Sequence, residues 1–354
     1  MRRTYTILAL LLALLMLAGC AAPAQTAPAT ETAEPEAPAQ EEELTAESEQ
    51  EKDPEPLPEE VYLDPVSVDV VSLEEEVAVL ADAPAAVPTI LKPEASGAKT
   101  HSNNEAIIDY SNTADGYVMM QYTATTDKRL KARVQGPTTT YTYNLTPGKW
   151  EVFPLSDGNG SYKFTVYRNV TGTKYSTVLS TTASVSLADE FAPFLRPNQY
   201  VDYSEATKTM EKAAELVKKY TDPLDKVAAV YDYVVGTLSY DYDKAATVKS
   251  GYLPVLDTVL EAKKGICFDY AALMAGMLRS QGIPCKLVVG YAGSAYHAWI
   301  SVWTEDEGWI DGAIFFNGTA WHRMDPTFAS SAKRSSSIMS YIGTDSNYST
   351  KYLY

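Results

Sequence analysis

Between residues 105 and 188 apolar and polar positions alternate in short runs, the period of a half-buried strand. Residues 117–122, 131–134, 140–144 and 161–167 read as strands, with Pro147-Gly148 and Asp157-Gly158-Asn159-Gly160 as turns between them. Such runs, bounded by turn residues, suit a small antiparallel β-sandwich. After Pro197 the period lengthens. Ala206, Met210, Ala213, Val217 and Tyr220 recur at helical spacing. Asp222-Pro223-Leu224-Asp225 then starts a second helix: a capping acid, a proline in the first turn and an early carboxylate. Val227, Val230, Tyr231 and Val234 form its apolar face. A third helix is predicted over 253–263, stopping at Gly265, and a fourth from Cys267 to near Gly282. Strands follow over 286–291, 296–303, 308–311 and 320–325. Helices first and strands after predict an α+β domain.

The first hundred residues have a different character. Arg2 and Arg3 precede an apolar stretch, 7–17, too short to span a bilayer, so residues 1–20 read as a signal peptide. Leu17-Ala18-Gly19-Cys20 resembles the lipobox of bacterial lipoproteins. That resemblance implies lipidation of Cys20 and an extracytoplasmic protein anchored to the bacterial cell membrane through lipid. The alternative is an ordinary secretory signal cleaved near Ala18 or Ala22. Residues 21–100 hold 20 Asp and Glu against three Lys, and eleven of the chain's twenty prolines. A segment so acidic and so rich in Pro, Ala and Glu cannot bury enough apolar surface to order itself, and reads as a stalk. Residues 66–80 are locally more apolar. A recognition tail for a basic partner is the rival reading. The formal net charge of −17 argues against a nucleic-acid partner. Four segments result: signal peptide 1–20, stalk 21–100, β-sandwich 101–190 and α+β domain 191–354. The sandwich carries no catalytic cluster; it reads as a spacer or as a module binding glycan or protein.

Three cysteines and three histidines restrict the chemistry. Cys267 opens an apolar helical run, His297 lies in a strand-like run, and Asp325 ends another before Pro326. A helix start offers unpaired N–H groups and the positive end of a dipole, both of which favour a thiolate. Gly265 is expected to let the chain turn sharply into that helix. His297 suits a base that takes the thiol proton, and Asp325 suits the group that orients the imidazole. The Cys267 backbone N–H is one candidate oxyanion donor, with Tyr240, Tyr242 or Tyr252 as the second. A Cys267–Cys285 disulfide is the competing explanation. The intervening helix is about 18 Å long at 1.5 Å per residue, and a bridge requires Cα atoms within about 7 Å. Cys285 reads instead as a small buried hydrophobe. His322 lies nearer to Asp325 in sequence, but three positions apart in a strand they point to opposite faces, which favours His297. No spacing matches a metal motif.

Gly265 to Ala271, Leu278 to Pro284, Val289-Gly290-Tyr291, His297-Ala298-Trp299 and Asp325-Pro326-Thr327 together resemble the transglutaminase-like core. The resemblance spans about residues 205–330. It implies a papain-like fold with Cys267 as nucleophile, His297 as base and Asp325 as orienting acid. Cys285 stands where a small residue is usual, and Ile300-Ser301-Val302 replaces the usual acidic continuation. The calcium sites of eukaryotic members have no counterpart, so neither metal nor other cofactor is expected. The implied activity is acyl transfer through a Cys267 thioester on amide bonds of protein or cell-wall peptide, either hydrolysis by a peptidase or amidase, or transamidation. The alternative is a non-catalytic surface or peptidoglycan-binding module of the same fold.

Overall fold

The computed structural model describes residues 90–292, 294–305, 308–311, 314–316, 321–323 and 348–354. Cys20, the signal segment, the stalk before residue 90 and Asp325 lie outside the described residues. The fold mixes helices and strands, as expected. Eight strands come first: β1 (Thr100–Ser102), β2 (Ala106–Asp109), β3 (Tyr117–Tyr122), β4 (Leu130–Gln135), β5 (Thr140–Leu145), β6 (Glu151–Pro154), β7 (Gly160–Thr171) and β8 (Lys174–Val185). They form two four-stranded sheets, ordered β1-β2-β3-β6 and β5-β4-β7-β8, with every pair antiparallel. Alternation works as the sequence predicts in β5, where Tyr141, Tyr143 and Leu145 are buried and the residues between them are exposed. The strands 117–122, 131–134, 140–144 and 161–167 are all present. β1, β2, β6 and β8 were not anticipated. β8 is largely Ser and Thr, and its pairing with β7 rather than its own apolar pattern makes it a strand.

The helices follow. α1 (Thr207–Val217) buries Met210, Ala213 and Val217. α2 (Pro223–Thr237) starts as predicted: the Asp222 carboxylate accepts the Leu224 N–H at 2.7 Å. The short β9 (Ser239–Tyr240) leads into α3 (Tyr242–Thr247), an unforeseen helix with no buried residue. α4 (Leu256–Ala262) is shorter than predicted and ends on Lys263, held at a φ of 51°. The left-handed residue is therefore Lys263, and Gly265 instead sits in β10 (Lys264–Gly265), paired in parallel with β9. α5 (Cys267–Ser280) comes next, and all its residues from Asp269 onward are buried. The remaining strands are β11 (Cys285–Ala292), β12 (Ala295–Thr304), β13 (Gly308–Asp311), β14 (Ile314–Phe316), β15 (Trp321–Arg323) and β16 (Tyr348–Leu353). A sheet ordered β13-β12-β11-β16 lies against α5, while β14 and β15 pair separately.

A helix buried all round needs neighbours on every side, and α5 has α1, α2, α4, β11 and β12. Gly276 makes room for α4, since a Cβ there would lie 2.6 Å from Leu256 Cδ1. Arg279, 3 % exposed, anchors the far end of α5. It donates to the carbonyls of Cys285 at 2.8 Å, Arg196 at 3.0 Å and Tyr354 at 2.6 Å. At the near end, aromatic rings join α5 to the strand-rich region. Phe268 meets Tyr200 at 5.4 Å, Tyr200 meets Tyr354 at 4.2 Å, and Tyr354 meets Tyr143 of β5 at 5.8 Å between centroids. Buried side chains of both four-stranded sheets built from β1 to β8 and of the helices belong to one continuous apolar core. No helix among the described residues is long and apolar enough to cross a membrane.

Replacing Arg279 with Leu strands three carbonyls away from water. The expected cost is about 3 kcal/mol or more, read as a lowered urea midpoint with an unchanged slope.

Candidate active site

Cys267 is the first residue of α5 and is half-buried, so its thiol stands where the buried helix meets solvent. No Ser or Thr caps this start. Ile266 occupies the cap position in extended conformation, and Asp269, in the first turn, reaches back to accept the Ile266 N–H at 2.8 Å. Asp269 is fully buried. A buried carboxylate is tolerated only when it is paired and hydrogen-bonded, and this one has three donors. Oδ2 accepts from the Lys244 ammonium at 2.6 Å as well as from Ile266, and Oδ1 accepts the Tyr252 hydroxyl at 2.6 Å. Lys244 also donates to the Tyr252 oxygen at 2.6 Å and lies 4.1 Å from that ring's centroid.

This cluster revises the expected role of Gly265. Its backbone is not left-handed, and what it provides is space. A Cβ at Gly265 would sit 2.6 Å from the Asp269 Cβ. Glycine lets the carboxylate approach the chain it caps. The cluster also narrows the choice of oxyanion tyrosine. Tyr252 commits its one proton to Asp269, and burial, then that bond, push its hydroxyl well above the usual range. Tyr242 is 54 % exposed. Tyr240 lies directly opposite Gly265 across the β9–β10 pair, beside the entry to α5.

His297 is buried in β12, opposite Gly290 of β11, and its ring stacks on Trp299 at 6.4 Å between centroids. Gly290 is itself required: a side chain there would run into the Ser349 carbonyl of β16 and the Trp299 ring. The neighbouring Tyr296 is 58 % exposed and edge-on to Tyr291 at 5.5 Å. α5 packs against β12, the strand that carries His297. Strand alternation adds a restriction. Ala298, Ile300 and Val302 belong to the core that includes α5, whereas His297 alternates with them and shares its face with Trp299. His322 falls in β15, opposite Phe315. Cys267 and Cys285 are both free thiols, as the helix-length reasoning required. Cys285 is fully buried, and burial pushes its thiol up to about 12. Among the described residues no group of His, Cys, Asp and Glu is arranged to hold a metal ion.

Residues 211–312 match the model of the transglutaminase-like superfamily. The match begins in α1 and ends just after β13, so it takes in Cys267 and His297. The uncharacterized protein YebA of Bacillus subtilis is 27 % identical over 117 residues, covering 28 % of this chain and 16 % of that one. A protein-glutamine gamma-glutamyltransferase of Pseudomonas aeruginosa is 30 % identical over 113 residues, again covering 28 % and 16 %. This chain therefore spans about a sixth of the length of either relative. The periplasmic domain of TgpA from Pseudomonas aeruginosa, solved with ethylmercury, superposes with a TM-score of 0.31 at 16 % identity, covering 66 % of this chain and 99 % of that one. The chain contains a transglutaminase-like superfamily domain, a class whose members are typically cysteine-dependent enzymes.

Two outcomes are expected. Gly265→Ala forces Asp269 away from the helix start, costing about 1–3 kcal/mol and lowering the melting temperature. Iodoacetamide at pH 8 modifies Cys267 and spares Cys285, because a thiol raised to about 12 stays protonated there. Peptide mapping after urea unfolding then finds both modified.

Proposed function

We propose that the chain is an extracytoplasmic, cysteine-dependent enzyme acting on amide bonds. The observation that carries this reading is the position of Cys267, half-exposed at the first residue of an otherwise buried helix and within the transglutaminase-like match. In the proposed reaction His297 takes the thiol proton and the Cys267 sulfur attacks the carbonyl carbon. The Cys267 N–H and, in this reading, the Tyr240 hydroxyl hold the oxyanion. The C–N bond breaks, the amine leaves with the proton carried by His297, and an acyl thioester remains. Asp325 orients the imidazole. Water, activated by His297, then releases a carboxylate, or a primary amine releases a new amide; either way the thiol is regenerated. The relative named as a glutamyltransferase supports the amine acceptor, and the constant supply of water favours hydrolysis. Protein or cell-wall peptide is the proposed substrate class.

The surrounding organisation is proposed with it: a lipid on Cys20 anchoring the chain, residues 21–100 as a spacer from the membrane, the two sheets of 101–190 packed as a small sandwich, and 191–354 as the catalytic domain. One observation favours a second reading, a non-catalytic surface module: in β12 His297 alternates with Ala298, Ile300 and Val302, which belong to the core that includes α5.

Mass spectrometry of the full-length protein incubated with glutamine-containing and cell-wall peptides, with and without a dansylated primary amine, separates the two. The expected result is an acyl adduct on Cys267, absent in Cys267→Ala, with turnover lowered about 10³-fold or more in His297→Ala and in Asp325→Ala. No adduct, and a Cys267 alkylated no faster than a free thiol, sinks the enzyme reading.

A further inference from the structure

The cluster at the start of α5 poses an electrostatic problem that the packing alone does not require. Two residues along the chain from Cys267, Asp269 is wholly buried, and an unbalanced negative charge in the first turn of α5 opposes ionisation of the thiol that opens the helix. That charge is met by Lys244, 2.6 Å away and 26 % exposed. Lys244 belongs to α3, which buries no residue of its own. The helix is nonetheless docked firmly against the entry to α5. The Asp241 N–H donates to the Gly265 carbonyl at 2.9 Å, and the Asp241 carboxylate caps α3 through the Lys244 N–H at 2.9 Å and pairs with Lys264 at 3.0 Å. The one tie from an α3 side chain to the first turn of α5 that these contacts define is an ammonium aimed at the buried carboxylate.

Taking Cys267 as the nucleophile proposed above, we infer that Lys244 is a positioning residue for the thiol. It anchors and neutralises Asp269, so that the first turn of α5 keeps its place and the positive end of the helix is left to favour the Cys267 thiolate. The other charged and titratable groups here do not substitute for it. Lys264 is balanced by Asp241, and Tyr252 is engaged with Asp269. Tyr240 faces Gly265, and Tyr296 and His297 come from β12. From α4, Asp257 is held by Thr209 of α1 at 2.7 Å.

The test is the pH dependence of Cys267 alkylation by iodoacetamide in the full-length protein, read on the Cys267 peptide. Wild type, Lys244→Met, Lys244→Arg and Asp269→Asn are compared, with melting curves alongside. Lys244→Met is expected to move the midpoint upward by about one pH unit, Lys244→Arg to retain the wild-type midpoint, and Asp269→Asn to move it downward. Opposite signs mark charge balance, because a merely loosened helix drives both variants towards an ordinary thiol. A wild-type midpoint below the ordinary value of about 8.5, with Lys244→Met unchanged, overturns the inference and leaves the proposed function standing. A wild-type midpoint at the ordinary value overturns both. If Lys244→Met does not fold, Asp269→Asn decides: an unchanged or raised midpoint overturns the inference.

Discussion

The structure around the candidate site depends on burying α5 on every side. A helix with water on one face needs only an apolar stripe. α5 has no water-facing stripe beyond its first turn, so α1, α2, α4, β11 and β12 close around it and its ends are held inside the protein. Arg279 does this at the far end by reaching three carbonyls from separate parts of the chain. Asp269 does it at the near end by capping Ile266 and drawing Lys244 and Tyr252 inward. Each is a charged group that the interior accepts because it is hydrogen-bonded there, Arg279 to three carbonyls and Asp269 by three donors.

That constraint explains why a thiol at this place differs from a thiol elsewhere in the same chain. Cys285 sits at the start of β11, fully buried and protonated far beyond physiological pH. Cys267 sits at the last point on α5 before the helix disappears into the core, still half-exposed, with the positive end of the helix beside it. The aromatic rings of Phe268, Tyr200, Tyr354 and Tyr143 then tie this point to the strand-rich region, so packing in β5 is mechanically connected to the first turn of α5.

Much of this was readable from residue order. The Asp222-Pro223 start, the strand 117–122 and the run of α5 follow from local patterns, because capping, alternation and continuous apolarity act over a few residues. α3 and β8 were not readable, since one buries nothing and the other is held by its neighbour's ladder. The helix stop expected at Gly265 comes at Lys263 instead, in left-handed conformation, because α4 ends at Ala262.

The sequence by itself determined which residues are available for thiol chemistry, since with three cysteines, three histidines and one motif order the choice was narrow. It also determined that Cys267 begins a helix and that Cys285 is too far along to bridge it. Only the tertiary structure decided that Asp269 is buried, that Lys244 and Tyr252 answer its charge, that Gly265 serves space rather than a turn, and which face of β12 His297 takes. The first three share one physical reason. Each depends on groups 3 to 25 residues apart meeting at one point, and a carboxylate carries no sign in its own sequence neighbourhood of which distant partner will satisfy it.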